Sequence, residues 1–123
     1  TNPFHGISPD EELPTAELIR LSEGWLQELI HRHPTGRPVQ LIWKGLRVSA
    51  GMAYYPSHRI ALSNRVLKTP RMTYETLVHE YAHLLAFTRG QAMGKPREGA
   101  GHGPIWQQAM QELGVTPKVR HNY

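Results

Sequence analysis

The chain has 123 residues, 39% hydrophobic residues, a formal net charge of +4 and no cysteine. This length and composition predict one small α+β domain. The absence of cysteine excludes disulfide scaffolds and thiolate metal sites, so any metal must be held by histidine and carboxylate groups. No apolar run approaches about 18 residues and no start resembles a signal peptide, so we expect no membrane segment and an intracellular location.

The first half of the chain predicts a helix followed by short strands. After an irregular lead-in over residues 1–14, apolar residues recur at three- and four-residue steps from Thr15 to about His31, which indicates a helix. Alternating apolar residues then predict three strands near residues 39–43, 51–55 and 58–62. Because tight connections join them, we expect an antiparallel sheet packed on the first helix.

The second half predicts a buried helix, a loop and a last helix. We expect the buried helix to begin near Thr73, after a break at Thr69-Pro70, and to stop before Gly90. A glycine-rich loop over residues 89–101 follows. The last helix begins at Pro104 and closes at Gly114, and residues 115–123 form an extended tail. Its apolar face is formed by Ile105, Trp106, Ala109, Met110 and Leu113.

The buried helix contains the stretch Val78-His79-Glu80-Tyr81-Ala82-His83-Leu84, an HExxH motif. Histidines four apart lie on one helix face, about 6 Å apart along the axis, so both imidazoles can reach one ion. The motif is typical of a zinc site in which the glutamate is the general base of a metalloprotease. Because buried histidines need partners, these residues favour a bound metal.

A third ligand must come from elsewhere in the chain, since catalytic zinc usually has three protein ligands and one open position. The candidates are Glu98, His102 and His121. His121 lies in the terminal tail, which is a poor anchor. Glu98 would also complete a catalytic site, but His102 is better placed, between glycines and just before a helix that packs on the core.

Several blocks between about residue 15 and residue 114 resemble, in the same order, the SprT-like metalloprotease domain. This is the protease domain of Spartan-type enzymes, which degrade proteins crosslinked to DNA. The matching blocks are Leu41-Ile42-Trp43, Ala50-Gly51 with Tyr54, Ile60-Ala61-Leu62-Ser63, Glu75-Thr76-Leu77-Val78-His79-Glu80-Tyr81-Ala82-His83, Arg97-Glu98-Gly99 and Gly101-His102-Gly103-Pro104.

The resemblance implies a zincin-like domain over residues 15–114, with an HExxH helix, a C-terminal helix and a short sheet. It implies that His79, His83 and His102 bind Zn²⁺ and that Glu80 is the general base. It also implies protein substrates, single-stranded or damaged DNA as a candidate partner, and a DNA-associated or cytoplasmic monomer. The chain departs from the family where Ala100-Gly101 lengthens the loop before the third histidine. It also lacks the cysteine-rich subdomain that helps many members contact DNA.

Other residues and functions remain candidates. Tyr54, Tyr55 or His58 could donate to an oxyanion, and Glu75 or Glu98 could orient a metal ligand. A DNA-binding module with a purely structural metal is one alternative function, although no fourth ligand is evident. A DNA-independent zinc hydrolase is another. The candidate phosphate contacts are Arg65, Lys68, Arg71, Lys95, Arg97, Lys118 and Arg120.

Overall fold

The computed structural model describes residues 2–115, which form four helices and one three-stranded sheet. The elements are α1 (Thr15–Arg32), β1 (Gln40–Lys44), β2 (Gly51–Tyr54), β3 (Arg59–Ser63), α2 (Pro70–Ala92), α3 (Pro96–Gly99) and α4 (Pro104–Glu112). The predicted α+β class with three strands is confirmed. Within the same residues, no helix is both long and apolar enough to span a membrane. The tail expected after Val115 lies outside the described residues.

The sheet has the order β1-β3-β2 and is mixed, so the prediction of a wholly antiparallel sheet was wrong. β2 pairs antiparallel with β3, whereas β1 pairs parallel with β3. Ile60, Ala61 and Leu62 of β3 have no solvent exposure, which suits a central strand covered on both faces. β3 therefore lies between the two earlier strands. The chain runs from β1 through β2 before it enters β3, so β1 and β3 point in the same direction.

Helix α2 begins at Pro70, not near Thr73 as expected. Thr69 is its N-cap, and the Thr69 side chain accepts a hydrogen bond from the Met72 amide at 3.2 Å. Proline is favoured at the first helical position because the amide of that residue has no partner within the helix. The Thr69-Pro70 pair thus starts the helix, and Thr73 is buried inside it.

The C-terminal part of α2 also differs from the prediction, because the helix continues through Gly90 to Ala92. A Cβ atom at Gly90 would lie only 2.6 Å from the Cα of Gly99 in α3. Gly90 therefore permits close packing of α3 and does not end the helix. The expected loop over residues 89–101 is instead the last turn of α2, a short connection and α3.

The core surrounds α2, which packs against α1, α4 and the sheet. The predicted apolar face of α4 is confirmed, since Trp106, Ala109, Met110 and Leu113 are buried. The sheet contacts α1 as expected, and Trp43 of β1 donates an indole hydrogen bond to Ser22 Oγ at 3.1 Å. This packing buries every residue of α2 from Thr76 to Ala86.

Candidate metal centre

Two of the predicted metal ligands lie one turn apart on the buried helix α2. His79 is 5% exposed and His83 is 7% exposed, and their ring centroids are 5.0 Å apart. The helix places both rings on the side that faces the start of α4. The four-residue spacing of the two histidines therefore places both rings on one face of the helix, as expected from helix geometry.

His102 reaches the same place from the turn between α3 and α4. The ligand atoms of His79, His83 and His102 all lie within 4.8 Å of one another. The Nε2 atoms of His83 and His102 are 3.1 Å apart. Two nitrogens that bind one tetrahedral zinc ion at about 2.0–2.1 Å are separated by about 3.3 Å, so the donor set and its spacing fit such an ion.

The other two candidates for the third ligand are not part of this cluster. Glu98 is exposed, and its carboxylate lies 3.9 Å from Lys95 Nζ. Among residues 2–115, the three histidines form the one cluster of metal-binding side chains. His121 lies outside the described residues. The geometry thus favours His102 among the described candidates.

Trp106 forms a buried wall against which all three histidines pack. Its ring centroid lies 5.2 Å from that of His79, 5.5 Å from His83 and 4.7 Å from His102, and the residue is 1% exposed. The sequence assigned Trp106 to an apolar helix face and missed this contact with the site. The contact could have been expected from the spacing, because Trp106 lies in the first turn of α4, four residues after His102.

Glu80 is also buried, at 6% exposure, although it follows His79 directly in the helix. Gly51 of β2 makes room for it, because a Cβ atom at Gly51 would lie 3.2 Å from Glu80 Cγ and 2.7 Å from Thr76 Cγ2. Burial raises the pKa of Glu80 to about 8. A raised pKa means that the ionised carboxylate is a stronger base than that of an exposed glutamate.

His83 and His102 are kept neutral by their surroundings. Burial, followed by the nearby charge of His102, lowers the pKa of His83 to about 4. Burial also lowers the pKa of His102. Neutral imidazole is the form that binds a metal ion, so these two side chains can bind a cation at neutral pH without first losing a proton.

An open cleft of about 700 Å³ gives access to this cluster. One wall is the loop before β2 and β2 itself, and the other contains Glu80 and the three histidines. Val48 at its rim is 98% exposed. The residues that β2 and the preceding loop contribute are mostly small or apolar, whereas α2 and the turn before α4 contribute Glu80 and the three histidines. Its lining residues are Val48, Ser49, Ala50, Gly51, Met52, Ala53, Tyr55, Val66, His79, Glu80, His83, Gly101 and His102.

A model of the SprT-like family matches residues 16–122 of this sequence. The chain belongs to the SprT-like family. No curated protein matches it. Among solved structures, it is similar to the crystal structure of the metallopeptidase zymogen of Pyrococcus abyssi abylysin. The identity is 22% and the TM-score is 0.48, over 79% of this chain and 99% of the other.

Of the three candidate oxyanion donors in this SprT-like chain, only Tyr55 lines the cleft. Its hydroxyl lies 3.3 Å from His83 Nδ1. The Tyr54 hydroxyl instead contacts Met52 Sδ at 3.7 Å. His58 is fully buried away from the cleft, with its Nε2 2.7 Å from Thr35 Oγ1.

The remaining charged candidates of the SprT-like chain lie in different surroundings. Arg71 forms an ion pair with Asp10 at 2.8 Å. Glu75 lies close enough for its negative charge to interact with the same arginine. Lys68 donates to the Asn64 carbonyl at 3.4 Å. Three predicted phosphate contacts, Lys68, Arg71 and Lys95, thus have partners within the fold, and Lys118 and Arg120 lie outside the described residues.

Proposed function

We propose that this SprT-like protein is a zinc-dependent endopeptidase in which His79, His83 and His102 bind the metal. The observation that carries the proposal is the meeting of three histidine ligand atoms within 4.8 Å, beside a buried glutamate in an open cleft. Membership of the family supports a metalloprotease-type function and a metal cofactor. Three nitrogen ligands with one open position are typical of catalytic zinc.

Glu80 is the catalytic residue of the proposed reaction. A zinc ion held by the histidines would polarise the scissile carbonyl and acidify a water molecule. The Glu80 carboxylate accepts a proton from that water while the water oxygen bonds to the carbonyl carbon. The same carboxyl group then transfers the proton to the amide nitrogen as the C–N bond breaks, which releases an amine and a carboxylic acid.

The edge of β2 is suited to hold the peptide substrate. Within the described residues β2 pairs with β3 alone, and Gly51, Met52 and Ala53 of β2 line the cleft. An extended peptide can add to such an edge as a further strand, with main-chain hydrogen bonds that depend little on sequence. Because such bonds involve the main chain, proteins of varied sequence are suitable substrates.

For the biological substrate, we propose proteins bound or crosslinked to DNA inside the cell. The resemblance to Spartan-type enzymes and the net charge of +4 support this. Electrostatic binding to DNA would weaken as salt is raised. The alternative of a structural metal in a DNA-binding module is less favoured, because the described residues supply three ligands beside an open cleft and not a closed set of four.

A protease assay on the wild type and Glu80→Gln, with and without single-stranded DNA, tests both parts of the proposal. We expect Glu80→Gln to retain zinc and to lose at least about 100-fold in casein cleavage, which is typical of a lost general base. The control is Glu23→Gln, an exposed residue of α1. Full activity of Glu80→Gln with zinc bound would rule out the mechanism. Activity that does not respond to DNA would indicate the DNA-independent hydrolase.

A further inference from the structure

Tyr55 connects the edge strand, the HExxH helix and the turn that carries His102. It directly follows β2, and its ring stacks on Phe87 of α2 with a centroid distance of 4.8 Å and an interplanar angle of 8°. Its hydroxyl lies 3.3 Å from His83 Nδ1. Two independent contacts therefore orient this side chain, one through the ring and one through the hydroxyl.

The hydrogen bond involves the nitrogen of His83 that faces away from the metal-binding cluster. Since His83 Nε2 lies 3.1 Å from His102 Nε2, Nδ1 is the atom left for the hydroxyl. When Nε2 binds a metal, Nδ1 carries the proton and the Tyr55 oxygen can accept it as a hydrogen bond. Such bonds select the tautomer and the ring orientation of metal-binding histidines.

Tyr55 also interacts with the segment that delivers the third ligand. The backbone of Gly101, the residue before His102, interacts with both the Tyr55 hydroxyl and the His83 ring. The hydroxyl thus lies where the elements that carry two metal ligands meet. A change in its position would alter His83 and the approach of His102 together.

We propose that Tyr55 is a positioning residue of the metal centre, whose hydroxyl holds His83 in the tautomer and orientation that bind the ion. The metal-binding role of the histidines rests on the proposed function. The hydroxyl strengthens metal binding through His83, and the stacked ring keeps the hydroxyl in place. It acts on the reaction through the ligand, so its loss affects metal affinity first and cleavage as a consequence.

Two neighbouring tyrosines provide a matched pair for the test. Tyr55→Phe removes the hydroxyl and retains the ring that stacks on Phe87, so the fold is preserved. Tyr54→Phe removes a hydroxyl that contacts Met52 and Lys44 at 3.7 and 3.5 Å. The affinity for Zn²⁺ is measured in each purified protein by competition with a chromophoric chelator, and thermal unfolding of the zinc-free proteins checks the fold.

We expect Tyr55→Phe to bind zinc about 10–100-fold more weakly than the wild type, the range for lost partners of metal-binding histidines. Tyr54→Phe should match the wild type. The visible spectrum of the Co²⁺-substituted protein is a second readout, because its bands report the ligand geometry, and it should change in Tyr55→Phe alone. Quenching of tryptophan fluorescence by Co²⁺ gives a further measure of binding, since Trp106, one of the three tryptophans, packs against all three histidines.

Equal zinc affinity and equal Co²⁺ spectra for Tyr55→Phe and the wild type would overturn this inference and leave the proposed function intact. A lower kcat with unchanged zinc affinity would also overturn it, because that result assigns the hydroxyl to the oxyanion. A wild-type protein that binds neither Zn²⁺ nor Co²⁺ would instead refute the proposed function. The last outcome is distinct from the other two, since it is seen without any substitution.

Discussion

The Nε2 atoms of His83 and His102 lie 3.1 Å apart although 19 positions separate the two residues in the chain. The close packing of α3 on α2 makes this possible, because Gly90 and Gly99 let the two backbones touch and so return the chain to the face of α2 that carries the motif. The histidine cluster therefore depends on a packing contact between α2 and α3 that involves none of the three histidines.

The choice of third ligand leads to a direct comparison of two variants. We expect His102→Ala to lower zinc affinity by more than about 100-fold. This exceeds the range for residues that only hydrogen-bond to a metal-binding side chain. Glu98→Ala should retain zinc, because Glu98 lies outside the cluster and faces Lys95. Zinc content after dialysis, measured by atomic emission, checks both. Loss of zinc from Glu98→Ala with retention in His102→Ala would reverse the assignment.

Gly51 permits the close approach of β2 to Glu80. We expect Gly51→Ala to destabilise the protein by about 1–3 kcal/mol, because the new methyl group overlaps Thr76 Cγ2. It should also reduce cleavage, since β2 must move away from Thr76 and Glu80 of α2. The measurements are urea unfolding and casein cleavage.

Gly24→Ala on α1 is the control for this glycine substitution. No atom lies within 4 Å of the added Cβ, so it should stabilise the protein by about 0.5–1 kcal/mol. Cleavage by this variant should match the wild type. Equal stability changes in the two variants would contradict the contact at Gly51.

Zinc should stabilise the folded protein, because the three ligands come together only when α2 and the turn before α4 are in place. At a free zinc concentration of about 100 times Kd, the expected gain in the free energy of unfolding is about 2.7 kcal/mol. Thermal unfolding with EDTA and with graded zinc measures it. His102→Ala should show little zinc-dependent shift, and a shift as large as that of the wild type would show that zinc stabilises the protein at another place.

His58 should make stability depend on pH. Burial, followed by the charge of Arg37, lowers the pKa of His58 in the folded protein. Because the unfolded chain binds this proton more readily, the contribution of His58 is fully present above its ordinary pKa of about 6.5 and is lost as pH falls through the folded value. The free energy of unfolding should therefore fall below about pH 6.5.

A His58→Asn variant isolates this contribution. His58 has a positive φ of 55°, a conformation that asparagine tolerates better than most residues. The variant should lose less stability than the wild type between neutral and acidic pH, measured by urea unfolding of the zinc-free proteins. His31→Gln, an exposed change at the end of α1, should keep the wild-type slope. An unchanged slope in His58→Asn would exclude the buried histidine as the cause.

Local patterns predicted the elements and the central pair of the site. Periodicity indicated α1, α4 and the three strands, and the four-residue spacing of His79 and His83 on a helix required that both rings share a face. His102 was preferred because it precedes a helix with an apolar face. These inferences depend on contacts within one or two turns of the chain, which sequence patterns describe directly.

Both predicted boundaries of α2 were wrong, because proline and glycine each occur in more than one position relative to a helix. Pro70 starts α2, although proline also ends helices, and only the cap at Thr69 decides between the two roles. Gly90 lies inside α2, where the absence of a side chain lets Gly99 of α3 pack against it. It does not mark the end of the helix. In each case the deciding partner is a capping atom or a distant backbone, which a pattern of residue types does not contain.

The sequence by itself determined which groups the candidate site contains: a histidine pair and a glutamate on one helix, no thiolate ligands, and one histidine in a glycine-rich segment that could join them. Only the tertiary structure decided the parallel pairing of β1 with β3, the wall formed by Trp106 and the contact of Tyr55 with His83. The physical reason is range. Helix periodicity follows from local geometry, whereas strand order and side-chain contacts depend on how distant segments pack into one core.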